Sequence, residues 1–246
     1  MLATMGVKEV LEQSTINGTT LTLPAVQLDR KVYMDVSKKL ELIGGKWNRK
    51  AQGFVFQEDP SYLIGDLING DNRNLKKEYQ FFETPENICH RICSNIPFTA
   101  ELVLEPSAGQ GAIVKVINEI RPIATVKYCE IMELNRKQFK GVADCIGEDF
   151  LELETPICLF DCIVANPPFS KNQDIAHFMK MYDVCKSGGR IISIMSNHWR
   201  NSTNKKEQAF KEFLATQKAE IYDIEAGEFS QSGTMVSTCY IVLDKE

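Results

Sequence analysis

The stretch "ELVLEPSAGQGAIVKVINEI", residues 101–120, decides how this chain folds. Leu102, Val103 and Leu104 read as a buried strand. Gly109 and Gly111 then mark a turn where the backbone can pass close to a ligand, and "AIVKVINEI" has apolar residues at helical spacing. Strand, glycine turn and helix form half of a parallel crossover unit, and the following sequence repeats the theme. "ATVKYCEIM" (124–132) reads as a strand, 133–140 as a helix, 142–146 as a strand and "FDCIVANPPF" (160–169) as a strand. After these come a helix at 174–186, the strand "GRIISIMS" (189–196) and a helix at 205–217. Two closing strands, 219–225 and 235–243, are joined by "GEFSQSGT" with no helix between them. Upstream, "TPENICHRICSNI" (84–96) predicts a helix with Thr84 as N-cap and Pro85 at the first helical position. This alternation predicts an α/β fold: a doubly wound, mainly parallel seven-stranded sheet with an antiparallel C-terminal hairpin.

The first third reads differently. Residues 20–28 and 31–36 look like short strands and 36–44 like a helix. "GGKWNRKAQGFVF" (44–56) suggests a glycine turn leading into a strand at 53–57, and 61–69 forms a short amphipathic stretch. "NGDNRN" (69–74) is the clearest loop signal. The expected organisation is a small α+β module over 1–75 and the α/β domain over 76–246.

The 246 residues, 43% hydrophobic and 25% charged, can bury a full core. No apolar run has membrane-spanning length, and "MLATMGVKEVLEQ" lacks the pattern of a secretion signal. A soluble cytoplasmic protein without a membrane partner is expected. The eight cysteines are scattered; "CHRIC" (89–93) has no second cluster to complete a tetrahedral site, so core thiols rather than a metal are expected. A net charge of −5 does not advertise a nucleic-acid binder. Yet Arg30, Lys31, Lys38, Lys39, Lys46, Arg49 and Lys50 face only Asp35 and Glu41 within residues 30–50, a local balance of +5. Such a patch can hold phosphate, and a solvated lysine-rich face gives the same pattern.

The glycine turn is neither a dinucleotide GxGxxG nor a P-loop, since no third glycine and no GK[ST] follow. Glu105 and Pro106 stand before it, and a carboxylate there suits an ammonium or sulfonium better than a pyrophosphate. The next strand ends in Glu130, nineteen residues after Gly111, where an acid can take both hydroxyls of a ribose. The third is followed by "GEDFLEL", in which Asp149 can accept from an adenine amine and Phe150 can cover the ring. Together these describe a pocket for an adenosine with a positively charged tail. The fourth strand ends in Asn166-Pro167-Pro168-Phe169. A delocalised exocyclic amine becomes nucleophilic when both of its N–H groups are accepted. The Asn166 oxygen and the Pro167 carbonyl are two such acceptors, fixed by a rigid dipeptide, and Phe169 offers a stacking face.

The series "ETPENIC", "LEPSAGQGAI", "CEI", "GEDFLEL" and "NPPF" resembles the class I S-adenosylmethionine-dependent methyltransferases, and more narrowly those that methylate N6 of adenine in DNA. The resemblance runs from about residue 81 onward and implies S-adenosyl-L-methionine as cofactor. It implies cofactor contacts from Thr84, Pro85, Glu105, Pro106, Ala108, Gly109, Gly111, Glu130, Ile131, Asp149, Phe150 and Asn166, with Asn166, Pro167, Pro168 and Phe169 as the catalytic turn. Larger relatives carry a target-recognition domain after NPPF or within the chain, and neither place has room here. DNA contact therefore falls to Lys46, Trp47, Arg49 and Lys50 and to the loop "SNHWRNSTNKKEQ" (196–208), with Trp199, Arg200 and Lys205. An RNA base amine or a protein glutamine fits the same turn, and a catalytically silent nucleic-acid-binding protein is a further alternative.

Overall fold

The computed structural model describes residues 5–56, 59–69, 84–136, 139, 141–154, 159–225, 227–229 and 238–246. The expected loop at 70–74, parts of the helix at 133–140 and the start of the last strand lie outside them. The chain divides into two compact units, Met1–Phe81 and Phe82–Glu246. Among the described residues no helix is long and apolar enough to cross a membrane.

The first unit runs α1 (Val7–Glu12), β1 (Thr15–Asn17), β2 (Thr20–Thr22), α2 (Arg30–Leu42), β3 (Lys46–Asn48), β4 (Gly53–Val55) and α3 (Ser61–Ile68). The strands form an antiparallel sheet in the order β1-β2-β4-β3. The expected strand at 31–36 is instead part of α2. The Asp29 carboxylate accepts from the Lys31 and Val32 backbone N–H groups at 2.8 and 3.4 Å, which starts the helix. Val36 and Leu40, one turn apart, then bury on a single face beside Ile43. Local β preference of "KVYMDV" yields to the cap and to this face. The strand expected over 20–28 is confined to Thr20–Thr22. Leu21, Phe54, Phe56, Ile64 and Leu67 complete the core. Gly45 is required by packing, because a Cβ there would lie 2.7 Å from the Phe56 ring.

The second unit runs α4 (Glu86–Cys93), β5 (Leu102–Glu105), α5 (Ala112–Ile120), β6 (Thr125–Cys129), α6 (Glu133–Arg136), β7 (Asp144–Gly147) and β8 (Phe160–Ala165). A short 3-10 helix (Ser170–Asn172) leads into α7 (Gln173–Val184) and β9 (Cys185–Ser196). A second 3-10 helix (His198–Asn201), α8 (Lys205–Thr216), β10 (Glu220–Ile224) and β11 (Thr238–Asp244) follow. The seven-stranded sheet has the order β10-β11-β9-β8-β5-β6-β7. β5 through β9 pair parallel, while β11 is antiparallel to both β9 and β10. The α/β class and the antiparallel hairpin are as the alternation predicts. β8 is buried almost throughout, as a central parallel strand covered on both faces must be. One helical layer contributes Ile88, Ile92, Ile113 and Ile117 to the core on one face, and Phe178, Met181, Phe210 and Leu214 fill the other.

Candidate active site

Strand order reverses between β5 and β8: β6 and β7 extend the sheet on one side, β9 and β11 on the other. In open α/β sheets such a reversal opens a crevice at the carboxyl ends of the two strands. Glu105 ends β5, and Asn166 follows β8 directly.

Glu105 is fully buried. Its Oε1 accepts from the Ser107 N–H at 3.0 Å, while Oε2 is buried with no hydrogen-bond partner among the described residues. Burial pushes the carboxyl up to about 8, and the charge of Glu130 pushes in the same direction. Glu130, immediately after β6, is also buried. It accepts from Gly109 N–H at 2.7 Å, Met132 N–H at 2.8 Å and Asn135 Nδ2 at 3.2 Å. Burial raises this carboxyl as well, against the opposing pull of those donors. Glu130 thus pins the glycine turn to the neighbouring strand, and the Ala108 N–H reinforces the link by donating to the Cys129 carbonyl at 3.0 Å. Gly109 and Gly111 both have positive φ, at 55° and 85°. A Cβ on Gly111 would meet the Phe139 ring at 2.7 Å, so the space there is filled by protein. Pro106 is buried beneath the turn, and Ile131 is half exposed beside Glu130.

Asn166 donates from Nδ2 to Thr84 Oγ1 at 3.0 Å. Thr84 is therefore not the expected N-cap: Pro85 occupies that position with extended dihedrals, and Glu86 begins α4. The buried threonine hydroxyl orients the amide instead. Pro167 is buried, Pro168 and Phe169 are half-buried, and Phe169 leans on the core below. After them Lys171 and Asn172 both adopt left-handed dihedrals, φ 54° and 60°. Asp149, after β7, accepts from the Leu151 N–H at 2.8 Å.

Two expected contacts are corrected. Phe150 is only 1% exposed and packs beside His177 and under Lys180, which makes it part of the core. Trp199 is 2% exposed and sets its edge against Phe210, which makes it core rather than a contact surface. Its neighbour Arg200 pairs with Asp223 at 2.6 Å, while Lys205 opens α8 and is exposed. In the first unit, Lys46, Trp47, Arg49 and Lys50 are all exposed on the β3–β4 hairpin. Trp47, 46% exposed, keeps one edge on Phe54 at 5.3 Å. The Asn48 side chain caps the turn by accepting from the Lys50 and Ala51 N–H groups. Asn172, Asp174, Ser196, His198 and Glu207, none of them expected from the sequence, form a polar chain that begins three residues after Phe169. A histidine in a protein with three of them was the available signal. Among the described residues no group of three or more His, Cys, Asp or Glu side chains could hold a metal.

No family model and no curated protein matches the sequence. Among solved structures, this chain is similar to a geranyl diphosphate methyltransferase in complex with SAM (11% identity, 65% of this chain and 85% of that one, TM-score 0.47). It is also similar to a dimethyladenosine transferase from Plasmodium falciparum (14%, 68% and 63%, TM-score 0.49) and to the 23S rRNA methyltransferase ErmE (16%, 68% and 70%, TM-score 0.49).

Proposed function

We propose that this chain transfers a methyl group from S-adenosylmethionine to an exocyclic amine, N6 of adenine in DNA. One observation carries the reading: the two strands at the reversal end in a buried carboxylate oxygen without a donor and in an oriented Asn-Pro-Pro-Phe turn. The residues fit the cofactor. A ligand ammonium is the donor that Glu105 Oε2 lacks, and its charge would offset the cost of the buried carboxylate. A carboxylate has about four acceptor sites; three protein bonds on Glu130 leave one for a ribose hydroxyl. Asp149, after β7, is the acceptor for the adenine amine in this reading, and the half-exposed Ile131 offers the ring an apolar contact. S-adenosylmethionine, when bound, supplies an activated methyl group.

The chain's own contribution is alignment. Thr84 takes the nitrogen of the Asn166 amide, so the oxygen is the end that accepts from the substrate amine, beside the Pro167 carbonyl. Two acceptors on the amine restore its lone pair, and Phe169 stacks the base. No strong base is needed, because the amine becomes acidic once it is methylated. A duplex must release the base from its stack first. The exposed Lys46, Trp47, Arg49 and Lys50 supply backbone contact, with Lys205 as a further cation. Incubation with methyl-labelled S-adenosylmethionine and DNA, RNA or peptide pools is the test, with label expected in DNA as N6-methyladenine. Label in RNA or on glutamine would overturn the substrate, and no transfer together with no cofactor binding would overturn the whole reading.

A further inference from the structure

Behind the NPPF turn, polar side chains from separate elements form a continuous chain. Asp174, on the first turn of α7, accepts at Oδ2 from both the N–H (3.1 Å) and the Oγ (2.6 Å) of Ser196. Ser196 Oγ lies 2.5 Å from Nδ1 of His198, and Nε2 of His198 meets Oδ1 of Asn172. Asn172 Nδ2 donates to Glu207 Oε1 at 2.7 Å, and that oxygen is 3.3 Å from His198 Nε2.

The directions of these bonds are constrained. The serine hydroxyl has one proton and Asp174 takes it, so Ser196 can only accept from His198 Nδ1. Glu207 accepts only, which turns the Asn172 nitrogen toward it and the oxygen toward His198, so Nε2 must donate. The Ser202 hydroxyl holds Glu207 below the usual carboxylate range, with Asn172 and His198 adding to the effect, which keeps it an acceptor. Both ring nitrogens of His198 are thereby donors, and a ring with two N–H groups is an imidazolium. Of the charged groups on the packed elements, Asp174 on α7 and Glu207 on α8 belong to this chain of contacts, Lys171 precedes Asn172 and Arg200 follows close after His198. Lys180 and Asp183 on α7 and Lys205, Lys206, Lys211 and Glu212 on α8 are the others on those two helices. Arg200 is engaged by Asp223, and the neighbouring titratable His177 faces the Gln173 carbonyl. His198 itself is exposed, so solvent protons reach it.

We propose that His198 is a positioning residue that, as an imidazolium, latches Asn172 in its left-handed conformation and through it holds the preceding Asn166–Phe169 turn in a substrate-ready form. Asn172 is the third residue after Phe169, and two successive left-handed non-glycine residues persist only when their surroundings hold them. Deprotonation removes one donor, so either the Ser196 or the Asn172 bond is lost and the turn slackens as pH rises. The inference rests on the methyltransferase reading for its consequence, not for its geometry.

The experiment therefore has two readouts. Two-bond proton–nitrogen NMR follows the His198 ring during a pH titration, together with the Asn172 side-chain amide and the Phe169 ring. The ring should carry two N–H groups on the acid plateau, and all three signals should share one midpoint. In His198→Gln the Asn172 and Phe169 signals should no longer titrate. For turnover, His198→Gln and Asn172→Gly should each lower kcat by about tenfold or more, as misplacement of an aligning group does. Cofactor affinity and thermal midpoint should hold, and the alkaline fall of wild-type kcat should disappear. Asn172→Gly keeps the left-handed backbone while deleting the latch. Insensitivity of Asn172 and Phe169 to the His198 titration would overturn the latch, as would a single neutral tautomer across their acid plateau or unchanged kcat in both variants. A chain inactive on every substrate would sink the methyltransferase reading alone, because the NMR coupling is read without turnover.

Discussion

Replacing Glu105 by Gln probes the buried carboxylate most directly. Burial raises this group from its usual 4.5 to about 8, so folding without ligand favours the protonated form. The sign follows: between those values the native state holds a proton that the unfolded state has released, and stability falls as pH rises. The fall is about 1.4 kcal/mol per pH unit, or about 3 kcal/mol by pH 7, levelling off above pH 8. Gln keeps the shape and the bond from the Ser107 N–H. Its amide leaves the same atom unpartnered as a neutral carboxyl would, so those costs cancel and the charge remains as the difference. The Gln variant should therefore match wild type near pH 4.5 and exceed it by about 3 kcal/mol at pH 7. Urea unfolding across pH 4.5–8.5, without ligand, is the assay. S-adenosylmethionine should stabilise wild type more than the variant, because only the carboxylate gains a charged partner; the lost contact should weaken binding by about 1–3 kcal/mol. Parallel stability–pH curves, or a Gln variant less stable than wild type at pH 8, would refute the account of Glu105.

Other changes separate the roles of neighbouring groups. Asn166→Ala should nearly abolish turnover with little change in cofactor affinity, measured by single-turnover kinetics and calorimetry. Thr84→Val, which removes the acceptor for the Asn166 nitrogen, should lower kcat in the same sense but less severely. Trp199→Ala should cost about 3–5 kcal/mol of unfolding free energy as a core truncation, and a loss of nucleic-acid affinity with stability intact would contradict its burial. Replacing Lys46, Arg49 and Lys50 together with Gln should weaken DNA binding on all sequences alike and flatten the salt dependence by roughly three phosphate contacts. An unchanged salt slope would mark the hairpin as a solvated face.

The α/β domain was readable because alternating strands and helices leave a repeating signature, and Gly109, Glu130 and NPPF fall at strand ends where ligands bind. The first unit was less so. Whether "KVYMDV" is strand or helix was decided by Asp29, which caps the chain, and by Leu40, which joins Val36 in the core; both lie outside those six residues. Phe150 and Trp199 were misplaced for a related reason: a ring beside acidic or basic neighbours looks available, and only the packing of α7 and α8 shows that it is covered. The Thr84–Asn166 bond joins residues 82 apart. No spacing rule could have paired them. The His198 chain had one cue in the sequence, a scarce histidine, but its partners come from α7, β9 and α8 and no spacing rule joins them.

The placement of β11 has a consequence for synthesis. β11 lies between β9 and β10, although β10 leaves the ribosome first. Until residues 238–244 emerge, β10 has no neighbour to join, and the long, apolar edge of β9 stands open. A nascent chain in that state offers unpaired N–H and C=O groups to any other strand it meets. A pause or premature stop between β10 and β11 should therefore yield aggregates rather than a soluble fragment, even with every residue of the crevice described above already made.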